Sequence, residues 1–219
     1  MEHQSNQEEN ILGTGSIGKL IAKFAIPSVV AMLVNALYNI VDQIFIGRGV
    51  GYLGNGAANV VLLITLVTLA LSLLIGDGTA AYFSLRLGAG EKEDAAKGVG
   101  NAILLITSVS VLAMAVGMLF LEPILRGFGA TDTLMPYAKD YGYIIVMGLP
   151  FIMVSTSLNS VIRADGSPKY AMASMIIGAL VNGCLDPVFI FGFGWGIKGA
   201  AWSTFIGQMI SFILSVCYL

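Results

Sequence analysis

The stretch Gly49–Gly76, GVGYLGNGAANVVLLITLVTLALSLLIG, carries no charged side chain. Crossing the hydrocarbon of a bilayer takes about 20 predominantly apolar residues in a helix, and this run is longer than that. A backbone in lipid has no water to pair with, so only α-helices and closed barrels can span. Barrel strands alternate apolar and polar positions over about 10 residues, and a run this long and unbroken excludes them. The stretch therefore predicts a transmembrane helix.

From there toward either end, six spans are predicted in all. They are Leu20–Gly47, opened by IGKLIAKF and carrying Pro27; Ala57 to about Leu87; Gly98–Leu121; Pro136–Val161, broken by Pro150; Tyr170–Phe191; and Gly199–Leu219. The segments between them (GRGVGYLGNG, GAGEKEDAAK, EPILRGFGATDTLM, RADGSPK, GFGWGIK) are short and rich in Gly, Pro and charge, as turns are. The predicted architecture is an all-α integral membrane bundle of six transmembrane helices over residues 17–219. A polar cytoplasmic tail, residues 1–16, precedes it. The tail opens MEHQSNQEENILGTG and lacks the basic start and apolar core of a secretory signal. The chain ends at SFILSVCYL inside an apolar run with no polar flank, which predicts that it is part of something longer.

Composition agrees. Charged residues make up 11% and apolar ones 57% of the chain, with mean hydropathy +0.86, against about 25% charged in soluble domains. A net charge of −2 without a Lys/Arg cluster gives no field for nucleic acid. Enzyme chemistry centred on His or Cys has little to use: the one histidine, His3, lies in the tail. Cys184 and Cys217 fall in apolar runs and are expected to be buried, inert thiols. The aromatic residues and ten Met read mostly as packing or lipid-facing groups, although they also suit a pocket for varied ligands.

Basic residues set the orientation. Lys19, Lys23, Arg86, Lys92, Lys97, Arg163 and Lys169 fall on one side; Arg48, Arg126, Lys139 and Lys198 fall on the other. This predicts a multi-pass protein with both termini in the cytoplasm.

Ionisable groups inside a span are costly and informative, at about +2.5 to +3.5 kcal/mol for Asp near a helix centre. Asp42, Asp77 and Asp186 qualify. Asp42 and Asp186 each sit about five residues before the outer end of their helices, and Thr204 about five residues into the last one. At about 1.5 Å per residue, all three lie about 7 Å below the outer boundary. Tyr38 and Asn182, four residues before Asp42 and Asp186, share their faces, and Tyr141 enters the fourth span at a similar depth. Carboxylates, amide and hydroxyls suit a small cation such as Na⁺ or a relayed proton, and two carboxylates so placed disfavour being charged together. Capping is a poor explanation, because Asp at a helix C-terminus opposes the helix dipole. Asn182 and Thr204 could equally join helices by hydrogen bonds. Asp77, in IGDGTAAYFS, lies toward the cytoplasmic half between two glycines. A kink with a water-facing carboxylate is the plainer reading there.

Several stretches together resemble the multidrug and toxic compound extrusion (MATE) family, in its bacterial Mep-like and DNA-damage-inducible-like branch. They are Pro27, Tyr38 and Asp42 with Phe45–Gly47; GTAAYFSLRLGAG (Gly78–Gly90); RADGSPK (Arg163–Lys169); and Asn182 with DPVFIFGFGWGIKGAAWST to Thr204. The resemblance covers the chain but only one half of the family's architecture. It implies the amino-terminal six-helix lobe of a twelve-helix exporter, in a bacterial cell membrane, whose carboxy-terminal lobe lies beyond this chain. It places a cation or proton site, possible for Na⁺, on Asp42, Asn182, Asp186 and Thr204, with Tyr38, Tyr141 and Asn159 in a supporting polar network. Asp77 departs from the family pattern, which is apolar there. By depth alone Asn159 falls near the cytoplasmic end.

The function implied is multidrug efflux by antiport with Na⁺ or H⁺, of cationic or amphipathic drugs, needing no cofactor. A lipid-linked or polysaccharide precursor flippase is the alternative transporter, but flippases line their cavities with basic residues and none lies deep in these spans. A non-transporting scaffold subunit would leave the acidic layer unexplained. An intramembrane enzyme lacks a constellation of His, Cys or Ser and Lys.

Overall fold

Long apolar runs with few internal breaks become long helices. The computed structural model describes residues 17–218; the tail at 1–16 with His3, and Leu219, lie outside the described residues. The helices are α1 (Ile17–Gly49), α2 (Tyr52–Gly88), α3 (Lys92–Gly127), α4 (Met135–Met147), α5 (Leu149–Ala164), α6 (Pro168–Pro187) and α7 (Ile197–Val216), with one π-helical turn, Val188–Gly192, after α6. No strand occurs among the described residues. Five of these helices are long and apolar enough to cross a membrane, and α4 with α5, bent by 51°, meets the same criterion as a pair, giving up to six spans. The predicted six-span all-α architecture holds.

The spans run further than the sequence reading drew them. At 37 residues, α2 is about 55 Å long, well beyond a hydrocarbon thickness of about 30 Å, while the 36 residues of α3 are interrupted by a kink at Phe120, three residues before Pro123. Tyr52–Gly56, Lys92–Lys97 and Glu122–Arg126, all assigned to connections from their Gly and charge content, are helical. Their charges decorate helix ends, where Arg126 pairs with Glu122 and Asp132, Lys139 with Glu122 and Arg86 with Glu91. The break in the fourth span falls at Gly148, two residues before Pro150. Proline has no N–H to offer the carbonyl of Val146, so the helical bonding lapses there and the chain bends. Pro27, by contrast, lies inside an uninterrupted α1.

The start of α1 and the connections at 89–91 and 165–167 lie at one end of the bundle, here the near side; those at 50–51, 128–134 and 193–196 lie at the opposite, far side. The main packing is α2 on α5 and α3, α6 on α7 and α1, and α7 on α4 and α5. Close backbone approach drives such packing in lipid, where apolar contact alone gains little. Gly76 is an example, since a Cβ there would lie 2.7 Å from the Cα of Ser157. Val61, Ile106, Leu121, Leu125, Val146 and Met153 fill the space between. Helix α1 joins the rest chiefly through α6 and has little contact with α2. Much of its surface, including Met32, Leu33, Leu37 and Ile40, is uncovered.

The cysteines correct the sequence reading. Cys184 and Cys217 are both exposed on the surface of the bundle. Cys184 lies two residues, about 200° around α6, from both Asn182 and Asp186, which face inward. In a membrane protein an apolar run need not be buried in protein, because lipid covers it.

Candidate functional site

Three helices meet at the far side to build the site: α1 carries Tyr38 and Asp42, α6 carries Asn182 and Asp186, and α7 carries Ser203 and Thr204. Local sequence fixes the meeting point. Pro187 follows Asp186 and ends α6, and the chain relaxes into the π-helical turn before crossing to α7. Gly199 lets α7 start against that turn, because a Cβ there would come within 2.8 Å of the backbone carbon of Phe189. One level deeper, Gly178 and Gly207 bring α6 and α7 together backbone to backbone. A Cβ on Gly207 would lie 2.7 Å from the Gly178 carbonyl oxygen and 3.0 Å from the Asn182 Cβ.

The predicted layer is assembled and closed off. Asp186 is fully buried, and Asp42, Asn182, Thr204 and Tyr141 are buried too; Tyr38 is half-buried. The amide Nδ2 of Asn182 donates to Thr204 Oγ1 at 3.0 Å, and Ser203 Oγ donates to Asp186 Oδ1. The Asp42 and Asp186 carboxyl groups interact directly across α1 and α6. Tyr38 lies within electrostatic reach of both carboxyls, and Tyr141 lies beside Thr204 and near Asp42. Three acceptors in this cluster are buried without a hydrogen-bond donor: Asp42 Oδ1, Asn182 Oδ1 and Asp186 Oδ2. An orphaned buried acceptor is costly; a cation would serve all three, and a proton shared between the carboxyl groups would serve those of Asp42 and Asp186.

Asn159 stands apart. It belongs to a second polar layer nearer the near side, where its Nδ2 donates to the Ser155 carbonyl at 2.9 Å and its Oδ1 accepts from Ser174 Oγ at 3.0 Å. Ser215 approaches the same amide at 3.4 Å. Asp77 is not in the acidic layer either. Its side chain is 63% exposed and lies 4.0 Å from Arg163. The kink expected there is absent, because α2 runs unbroken from Tyr52 to Gly88 and Gly76 serves the contact with α5. Sequence reasoning missed Ser203, whose only signal was its place beside Thr204, and the serine layer, whose members look like ordinary small residues in apolar helices.

The donor set is oxygen throughout. Among the described residues no group of three or more His, Cys, Asp or Glu lies together. Two carboxylates, an amide and hydroxyls are hard ligands that fit a monovalent cation.

Comparison with known proteins gives this geometry a lineage. The chain is 30% identical to the multidrug export protein MepA of Staphylococcus haemolyticus, over 93% of this chain and 45% of the relative. It is 25% identical to an FAD transporter of Shewanella oneidensis, over 91% of this chain and 45% of the relative. Among solved structures it superposes on the MATE multidrug transporter DinF-BH with TM-score 0.90 and 35% identity, covering 100% of this chain and 48% of that one. It thus spans about half the length of the curated relatives it matches. The MatE family profile matches residues 27–188, and the chain belongs to the MatE family of membrane transporters.

Proposed function

We propose that this chain is one six-helix lobe of a multidrug exporter driven by an inward flow of Na⁺ or H⁺, and that Asp42, Asp186, Asn182 and Thr204 bind the coupling ion. The observation that carries the reading is the set of orphaned acceptors on Asp42, Asn182 and Asp186, on side chains held together by three helices. Two carboxylates in a medium of low dielectric repel strongly, so a bound cation or proton holds the Asp42 and Asp186 carboxyls together, and its loss drives them apart. Helix α1 is held mainly by α6, so occupancy of the site bears on how firmly α1 packs. The exposed apolar flank of α1 then shifts relative to whatever faces it, which is how ion binding reaches the substrate path.

The cargo that fits is a cationic or amphipathic small molecule. The described Lys and Arg side chains all lie in connections or within two turns of a helix end, leaving no deep basic group for phosphate. Alternating access requires one bundle rocking against another, so export needs a second six-helix lobe. Both termini are placed in the cytoplasm on the distribution of basic residues.

The test is efflux of a fluorescent organic cation from vesicles that hold this chain together with a second lobe. Efflux should follow an imposed Na⁺ or H⁺ gradient, and Asp42→Asn should abolish it at normal membrane levels. This chain alone should confer no resistance. Gradient-independent efflux, or efflux indifferent to Asp42→Asn, would overturn the reading.

A further inference from the structure

Thr204, Gln208, Ser211 and Ser215 recur along α7 at spacings of four, three and four residues, so they form one stripe on the helix. Thr204 belongs to the acidic layer, through its bond to Asn182. Ser215 belongs to the serine layer, through Ser155 at 3.3 Å and Asn159 at 3.4 Å. The two ends are about 16 Å apart along the helix.

In the lower part of the stripe every hydroxyl is hydrogen-bonded. Ser215 Oγ donates to the Ser211 carbonyl at 2.8 Å, Ser211 Oγ to the Ser174 carbonyl at 3.0 Å, and Ser174 Oγ to Asn159 Oδ1 at 3.0 Å. Between the layers, the side of α7 that meets α6 is shut by the Gly178–Gly207 contact. The one polar side chain of the stripe at that level is Gln208, and its Oε1 is buried without a donor. It faces the bend between α4 and α5, where a Cβ on Gly148 would stand 3.0 Å from it. A buried amide oxygen with no partner, between two polar layers in a membrane, costs free energy.

We propose that this stripe is the transit route of the coupling ion between the acidic layer and the near side, with Gln208 Oε1 as its intermediate ligand. An amide oxygen coordinates Na⁺ and accepts a hydrogen bond from a hydrated proton, so the assignment holds for either ion. The inference rests on the cation site at Asp42 and Asp186. It adds a route to that site and a residue with a kinetic role, since a ligand midway lowers the barrier to transit without setting the affinity of the end point.

The experiment uses the chain reconstituted in lipid vesicles with its near side outward. Infrared absorption of the buried carboxyl groups is followed after a rapid jump in external Na⁺ at constant pH, or in pH without Na⁺; the arm that responds identifies the ion. Gln208→Met, similar in size but without the amide, should slow the response about tenfold or more while leaving its final amplitude unchanged. Gln208→Glu, which keeps an oxygen ligand, should restore most of the rate. A wild-type rate in Gln208→Met overturns the route. So does equal slowing in both variants together with lowered thermal stability, which would make Gln208 a brace for the bend at Gly148. No carboxyl response in the unsubstituted chain, or one that survives Asp42→Asn, overturns the cation site itself and the route with it.

Discussion

Asn182 on α6 donates a 3.0 Å hydrogen bond to Thr204 on α7, and its own Oδ1 is left without a protein donor. The bond spends the amide's donor side on the neighbouring helix and keeps the acceptor side free beside two carboxyl groups. Asn182→Leu should therefore remove a cation ligand, whereas Thr204→Val should remove a ligand and also free the amide to rotate. Because both act within one network, their effects on cation affinity should fall short of additive by about 0.5–3 kcal/mol. A double-mutant cycle in binding titrations checks this, and strictly additive losses would separate Thr204 from the site.

The contact between Gly178 and Gly207 positions that pair. A Cβ on Gly178 would fall 2.0 Å from Ser211 Oγ and 2.7 Å from the Gly207 carbonyl oxygen. Gly178→Val should thus lower stability by about 1–3 kcal/mol and weaken cation binding as α6 and α7 part. Gly183, on the same helix with open space around it, provides the control, and Gly183→Ala should leave both unchanged. Thermal unfolding in detergent reads the first effect and titration the second.

Asp77 should prove dispensable for ion binding. Its partner Arg163 lies 4.0 Å away and the Asp77 side chain is 63% exposed, an arrangement worth about 0–1 kcal/mol. Asp77→Asn should leave cation affinity and folding within error of the unsubstituted chain. A tenfold loss of affinity would show that the carboxylate acts on the site at a distance.

Much of this was legible in the sequence, for reasons that particular residues make plain. Charge-free runs gave the spans, because lipid tolerates no exposed backbone. Helical rise placed Asp42, Asp186 and Thr204 at one depth, and i,i+4 spacing added Tyr38 and Asn182. The ends of α2 and α3 were not legible, since Lys92–Lys97 and Glu122–Arg126 are as content in a helix projecting into water as in a turn. Nor was the serine layer. Ser155, Ser174 and Ser215 lie on three helices, and only the folded packing shows that they meet around Asn159. Cys184 misled because apolar neighbours reveal the solvent, not which face looks at lipid.

Sidedness is open to direct chemical test. Cysteines replacing Asp132, whose side chain is 87% exposed, and Glu93, 84% exposed, lie on opposite sides. In a background lacking Cys184 and Cys217, an impermeant thiol reagent added to intact cells should label Asp132→Cys and spare Glu93→Cys. The reverse pattern would invert the orientation.

Everything proposed for the coupling ion depends on Asp42 and Asp186 forming one cation site with Asn182 and Thr204. Titration of Na⁺ or protons into the purified chain decides it. Asp42→Asn, Asp186→Asn and the double substitution should each abolish binding to the same extent, with the helical content of all three unchanged. Binding that survives intact in either single variant, or that halves in each and vanishes only in the double, would contradict a shared site.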